Sequence, residues 1–196
     1  MKKQKVFLIQ LIIFFSLFLA SSQLIYCQDE KEDLNNQLFA AVKEGRDKGA
    51  QELISKGANV NAKDGEGMTV LIHAVNGGHK FVVQVLLSNG ADPNVKIKND
   101  ITALILASLL GNDEIALDLL LNHADVNAKN VIGGNSLMMA AGKGHIEVAK
   151  LLLAYGADIN AKTNEGKSAI DIALAYGQLE MVNFLVDESK KRADNE

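Results

Sequence analysis

The side chains suited to proton transfer, metal ligation or nucleophilic attack are few: His73, His79, His123, His145, the single Cys27, and the aspartates Asp92, Asp125 and Asp158. Acid–base work needs a titratable group within hydrogen-bond reach of the reacting proton. Metal binding needs ligands turned to one side, as at i and i+4 on a helix. No two of the four histidines have that spacing. The three aspartates recur every 33 residues, and an aspartate in a repeated loop slot bonds the backbone amides of its own turn. A lone cysteine forms no internal disulfide. Gly77-Gly78 and Gly133-Gly134 are glycine pairs without the rest of a phosphate-binding loop. These patterns point away from an enzyme, a metal site or a cofactor.

The elements that hold these residues follow one period. Gly57-Ala58-Asn59-Val60-Asn61 returns as Gly90-Ala91-Asp92-Pro93-Asn94, as His123-Ala124-Asp125-Val126-Asn127 and as Gly156-Ala157-Asp158-Ile159-Asn160, each 33 residues after the last. Ala41, Ala74, Ala107, Ala140 and Ala173 keep the same step, as do Gly45, Gly78, Gly111, Gly144 and Gly177. So do Leu53, Leu86, Leu119, Leu152 and Leu185. A fixed period of this length marks one small unit stacked on copies of itself.

Inside a unit the apolar residues fall at helical intervals. Leu71, Ala74 and Val75 mark a first short helix, and Val82, Val85, Leu86 and Leu87 a second. Gly78 sits at the turn between them, and Gly90 where the second helix should end in a left-handed cap. His123 takes that glycine's slot in the third unit, at a cost on the order of 1 kcal/mol, which makes this unit the expected weak point.

The pattern resembles the ankyrin repeat, whose signature runs T-P-L-H-x-A, a G-H turn, a leucine-rich second helix and G-A-D-V-N-A. The first part reads Thr69-Val70-Leu71-Ile72-His73-Ala74 in unit two and Thr102-Ala103-Leu104-Ile105-Leu106-Ala107 in unit three. It reads Asn135-Ser136-Leu137-Met138-Met139-Ala140 in unit four and Ser168-Ala169-Ile170-Asp171-Ile172-Ala173 in unit five. The turns are Gly78-His79, Gly111-Asn112, Gly144-His145 and Gly177-Gln178. No unit keeps the family proline, and Asn135 replaces the threonine. The resemblance implies an all-α ankyrin-repeat solenoid of about five helix-turn-helix units with short hairpin-like loops. Their spans would be 35–66, 67–99, 100–132, 133–165 and 166–189, within a repeat domain over 35–189. It also implies a structural role for His79 and His145.

The ends read differently. Met1-Lys2-Lys3-Gln4-Lys5 is basic, Val6 to Ala20 is almost wholly apolar, and Ala20-Ser21-Ser22 is small. That is the layout of a secretory signal. Three outcomes for residues 1–27 stand open: cleavage after Ser22, retention as a membrane anchor, or lipidation at Cys27. Leu24-Ile25-Tyr26-Cys27 resembles the bacterial lipobox, apart from the large Tyr26. Export to the periplasm, the outer envelope or the medium is the expectation. Taking the leader's three lysines from the 20 basic residues leaves 17 against 24 acidic ones, a net charge of −7. That balance disfavours nucleic acid and anionic lipid surfaces. Membrane contact is expected only through a retained anchor. Residues 28–34 read as a charged tether and 190–196 as a flexible tail.

The partner is expected to be another protein, met by a monomer. The resemblance places binding on the loop tips and the exposed side of each first helix. Those slots gather Met68, Ile101, Leu109, Leu110, Val131 and Ile132, with Tyr176 further on. A contiguous exposed apolar patch marks a partner site, while the alternative is burial of Leu109, Leu110 and Ile97 under neighbouring loops. Lys63, Lys96, Lys129 and Lys162 recur every 33 residues beside this stripe and would form a basic ladder that orients a partner. In unit three, Leu117 and Leu121 occupy slots that are polar or small elsewhere, and Asp118 one that is apolar. Either that helix is rotated or its outer face is sticky. The function expected is protein binding through a concave groove. Narrower alternatives are an envelope inhibitor or protector of one toxin or enzyme, and a membrane-tethered spacer.

Overall fold

The computed structural model describes residues 30–193. Residues 1–27, with Cys27 and the expected signal, lie outside them. The described chain is a stack of ten α-helices: α1 (30–43), α2 (Asp47–Ser55), α3 (Val70–Asn76), α4 (Lys80–Ser88), α5 (Ala103–Leu110), α6 (Asp113–Leu121), α7 (Ser136–Lys143), α8 (Ile146–Ala154), α9 (Ala169–Ala175) and α10 (Leu179–Ala193). No strand forms among these residues; the loop before α3 has one isolated bridge, Lys63 with Thr69. The first helices α3, α5, α7 and α9 pack in one row, and the second helices α2, α4, α6 and α8 in another.

The first helices α3, α5, α7 and α9 start where the sequence supplies a side-chain acceptor for an otherwise orphaned amide, whereas α2, α4, α6 and α8 start without one. Thr69 accepts from the Ile72 N–H, Thr102 from Ile105, Asn135 from Met138 and Ser168 from Asp171. The Asp171 carboxylate answers by accepting from the Ser168 N–H at 2.8 Å. Buried leucines, valines and alanines on both helices of each unit then merge into one continuous core from Leu38 to Leu185. Each unit covers its neighbour's apolar flank, which no unit could do alone.

The polar loops are stitched by a ladder of asparagines. The Asn61 carboxamide accepts from Asp92 N–H at 2.9 Å and donates to the Gly90 carbonyl. Asn94 does the same to Asp125 N–H (2.7 Å) and the His123 carbonyl, and Asn127 to Asp158 N–H (2.9 Å) and the Gly156 carbonyl. The aspartates Asp92, Asp125 and Asp158 each accept from the amide two residues on, at 2.8–2.9 Å. They are turn-formers, as their period indicates.

Both ends differ from the expected tether and tail. Residues 30–34 are the start of α1, with Leu34 packed on the core. The reason is structural. Asn35 accepts from the Asn59 N–H at 2.7 Å, so the lengthened helix supplies the rung that a preceding loop would otherwise give. At the other end α10 runs on through residues 190–193, and the Arg192 guanidinium donates to the Leu153 carbonyl at 2.9 Å. That contact ties the last turn of α10 back to α8. The extra turns of helix cap the stack on both sides.

Candidate binding face

The face carrying the loop tips and the first helices is the inner face. Its two halves differ in chemistry, although the backbone repeats.

In unit two the inner face is closed by a polar pair. His73, on α3, and Asp64, in the preceding loop, meet at 2.7 Å between Nε2 and Oδ2. The Phe39 ring of α1 stands edge-on to the imidazole, 5.5 Å between centroids and 86° between planes. The His73 bond holds the Asp64 carboxyl below its ordinary range, helped by the amides of Met68 and Glu66 and opposed by partial burial. Asp64 therefore serves twice, as turn acceptor and as histidine partner. The same slot holds Ile97, Asn130 and Thr163 in later units. Asn130 and Thr163 still accept loop amides, at 2.8 Å from Gly134 and 3.2 Å from Lys167. Ile97 cannot, and its loop winds instead into a 3-10 turn, Lys98–Asp100.

That turn puts Asn99 and Asp100 in the left-handed region, at φ 64° and 58°. Asp100 occupies the slot held by Gly67, Gly133 and Gly166, whose φ values lie between 78° and 80°. His123 is also left-handed, at φ 65°, in the slot of Gly57, Gly90 and Gly156. Three residues with a Cβ thus sit in a region where each costs on the order of 1 kcal/mol.

In units three to five the inner face is open. A groove of about 380 Å³ runs between Leu109 of α5, Met138, Met139 and Gly142 of α7, and Ile172 and Tyr176 at α9. Ile132 and the loop from Thr163 to Lys167 form its other wall. The tips are fixed in place. Val131 N–H donates to the Asn99 carbonyl at 3.1 Å, Asn164 N–H to the Ile132 carbonyl at 3.0 Å, and the Asn164 carboxamide to the Val131 carbonyl at 3.1 Å. Exposed apolar side chains are thus carried on a braced backbone. Leu110 is 42% exposed, Val131 53%, Ile132 61% and Tyr176 68%.

The expected site residues divide accordingly. Leu109, Ile132 and Tyr176 meet in the groove. Leu110 and Val131 are exposed but do not line it. Met68 is half-buried against the core, and Ile101 is half-buried where its carbonyl accepts from the Ile97 N–H at 3.0 Å. Both stand apart from the groove. Lys63, Lys96, Lys129 and Lys162 are all exposed. The Lys129 ammonium donates to the Lys162 carbonyl at 3.1 Å, which sets successive members of the row side by side. Lys63 lines a separate shallow depression with Asp64, Asn35 and Phe39. The groove also includes Met138, Met139, Ile172 and Thr163, which the sequence reading did not select. For Met139 and Ile172 the signal is the slot they share with Leu106, apolar in units three to five where unit two has His73.

The outer face resolves the question about unit three. Ile115, Ala116, Leu119 and Leu120 are buried in the slots of Val82, Val83, Leu86 and Leu87, so α6 is not rotated. Leu121 is left 57% exposed, and Asp118 accepts from the Gln84 carboxamide at 3.0 Å. The turn histidines have a packing role. The His79 ring lies over Gly45, where a Cβ would come within 2.7 Å of Nδ1, and His145 lies over Gly111 at 2.6 Å. Among the described residues no group of three or more histidines, cysteines or acids is placed to hold a metal ion, and no helix is long and apolar enough to cross a membrane.

A search of the curated proteins finds no match. A family model for ankyrin repeats, in three copies, matches residues 38–130 and again 104–195. Together with the stacked helix pairs and their 33-residue loop ladder, that match places the chain in the ankyrin-repeat family.

Proposed function

We propose that the chain is an exported, monomeric protein-binding module that captures another protein on the inner face of units three to five. Proteins of this family generally mediate protein–protein interaction. The observation that carries the reading is the braced apolar groove, where Leu109, Ile132 and Tyr176 converge while the loop tips are tied to one another. An apolar patch held at the surface costs solubility, and a rigid one loses little entropy when covered. The neighbouring lysines 129 and 162 orient an acidic partner on an otherwise acidic protein. No step of bond making or breaking is required.

Crosslinked capture from the native host tests this reading. Substituting Leu109 and Leu110 with Asp, or Ile132 alone with Asp, should remove one specific crosslinked species while helicity by circular dichroism is kept. Ile132 is exposed, so its substitution leaves the core untouched. Undiminished capture by both variants contradicts the site. Export rests on the layout of residues 1–27. The intact mass of the membrane-extracted protein distinguishes a cut after Ser22, a lipid on Cys27 and a retained leader. A chain found only inside the cell, with Met1 intact, contradicts export.

A further inference from the structure

Two slots that form a polar pair in unit two hold a methionine and an asparagine in unit four. Met139 occupies the slot of His73, and Asn130 the slot of Asp64. In unit two the pair is joined, His73 Nε2 to Asp64 Oδ2 at 2.7 Å, and the inner face is closed. In unit four the two side chains come together without a bond. A Cβ built on Gly134 would lie 3.1 Å from the Met139 Cε and 3.3 Å from the Asn130 Nδ2, so both end beside one bare backbone position. The Asn130 Oδ1 is engaged, accepting from the Ile132 and Gly134 amides at 3.2 and 2.8 Å. Its Nδ2 donates to no group among the described residues. A thioether is only a weak acceptor, so this donor has nothing strong to meet.

The sulfurs differ in access. Among the described residues Met138 and Met181 are each 1% exposed, while Met68 and Met139 are half-buried. Of those two, Met139 lines the groove and Met68 does not. A reagent small enough to enter the groove therefore reaches one sulfur in its wall. Oxidation of a methionine replaces an apolar thioether with a polar sulfoxide, whose oxygen is a good acceptor.

We propose that Met139 is the redox-controlled residue of the inner face: hydrogen peroxide converts it to the sulfoxide, the new oxygen accepts from Asn130 Nδ2, and unit four closes as unit two does. The step balances. The Met139 Sγ attacks one peroxide oxygen, the O–O bond breaks, an S–O bond forms and water leaves; the sulfur gives up two electrons and the peroxide takes them. Bonded to Asn130, the sulfoxide is satisfied in the free chain, but covering it with a partner's apolar surface carries a desolvation cost that the thioether lacks. This rests on the reading of the groove as the partner site and adds how that site is switched.

The intact chain is treated with hydrogen peroxide and mapped by peptide mass, and crosslinked capture of the partner is measured before and after. Met139 should gain one oxygen while Met138 and Met181 do not. Capture by the parent should fall about tenfold and recover after methionine sulfoxide reductase, the scale of spoiling one apolar contact in an interface. Capture by Met139→Leu, a residue that Leu106 already supplies in this slot, should be unmoved by peroxide, whereas Met68→Leu should respond as the parent does. Asn130→Asp keeps the turn acceptor, as Asp64 does, and removes the donor. Oxidation should therefore lower the Tm of that variant further than it lowers the parent's. A spared Met139, an oxidised Met139 with capture undiminished, or sensitivity that survives in Met139→Leu overturns the switch. Equal Tm changes with and without the Asn130 donor overturn it as well. In each of these cases loss of capture by untreated Ile132→Asp leaves the partner site standing. If untreated Ile132→Asp and Leu109→Asp with Leu110→Asp capture as well as the parent, the partner site fails and the switch with it.

Discussion

Units two and four have the same pair of helices, and each takes an asparagine rung from the unit before it, from Asn61 and from Asn127, yet they present opposite surfaces. Unit two closes its inner face with the His73–Asp64 pair under Phe39. Unit four places Met139 where unit two has His73, and Gly142 where unit two has Asn76. The backbone and core are fixed by residues that point inward and recur, such as Leu71 and Leu137 or Ala74 and Ala140. The inner-face slots differ from unit to unit: His73, Leu106, Met139 and Ile172 share one, and Asn76, Leu109, Gly142 and Ala175 another. What the contrast teaches is that most inner-face slots change while the recurring core stays, with Met138, buried in the core and lining the groove, belonging to both.

The largest effect should come from breaking the open side. Ile132→Asp combined with Leu109→Asp should weaken capture of the crosslinked partner by ~30-fold or more, the scale of losing a buried apolar anchor. The matching change in unit two, Asn76→Asp, should leave capture unchanged. Equal losses from both would dissolve the contrast.

A smaller effect should come from the ladder that both halves share. Asn94→Ala removes two rungs, to Asp125 N–H and to the His123 carbonyl. Denaturant unfolding should show a loss of about 1–2 kcal/mol, with partner affinity retained where the chain is folded. No change in stability would mean that water replaces these rungs at no cost.

Unit three, between the closed and open halves, carries the strained backbone. Asp100→Gly and His123→Gly should each stabilise by about 0.5–1 kcal/mol, less than the ladder change costs and in the opposite direction. For a chain of this size 1 kcal/mol corresponds to about 2–4 °C in Tm, measurable by calorimetry. Substituting Gly90 or Gly156 with Ala should lower Tm instead, because both are left-handed, at φ 85° and 87°.

The smallest effect concerns Asp64. Its folded carboxyl titrates below the ordinary value of 3.8 because it accepts from His73. The stability it contributes is therefore present above the unfolded value and is lost as pH falls through the folded one. Asp64→Asn keeps the turn acceptor, as Asn130 does in unit four, but has no charge to lose. The variant should be slightly less stable at pH 7 and should show a shallower loss of stability below about pH 4. An unchanged acid limb would mean that the pair does not couple to folding.

Much of this was legible in the sequence, and the reasons are specific. Residues that recur are constrained by the stack, so the period alone located the helices, the turn glycines and the aspartate turns. The cost at His123 was visible because one unit broke a glycine series. What the sequence concealed was relational. Asp64 and His73 are nine residues apart in a loop and a helix, and only the fold brings them together. Asn35 falls outside the 33-residue register, so its role as a surrogate rung could not be read from spacing, and with it went the helical start of α1. Gly142 offers no side chain to read, and only the fold shows that its bare backbone lets Ile172 and Tyr176 pack close against α7. Met68 and Ile101 belong to the same exposed-slot pattern as Leu109, but Met68 packs on the core, Ile101 is half-buried with its carbonyl tied to the Ile97 N–H, and neither lines the groove.

Hydrogen exchange on the chain alone and in complex with its crosslinked partner tests the separation of site from scaffold most directly. Protection on binding should rise in the loops at 131–132 and 163–167 and around 176, while unit two's inner face and the second helices α4, α6 and α8 stay as they were. Protection that appears first on those second helices, or over His73 and Asp64, would contradict the account.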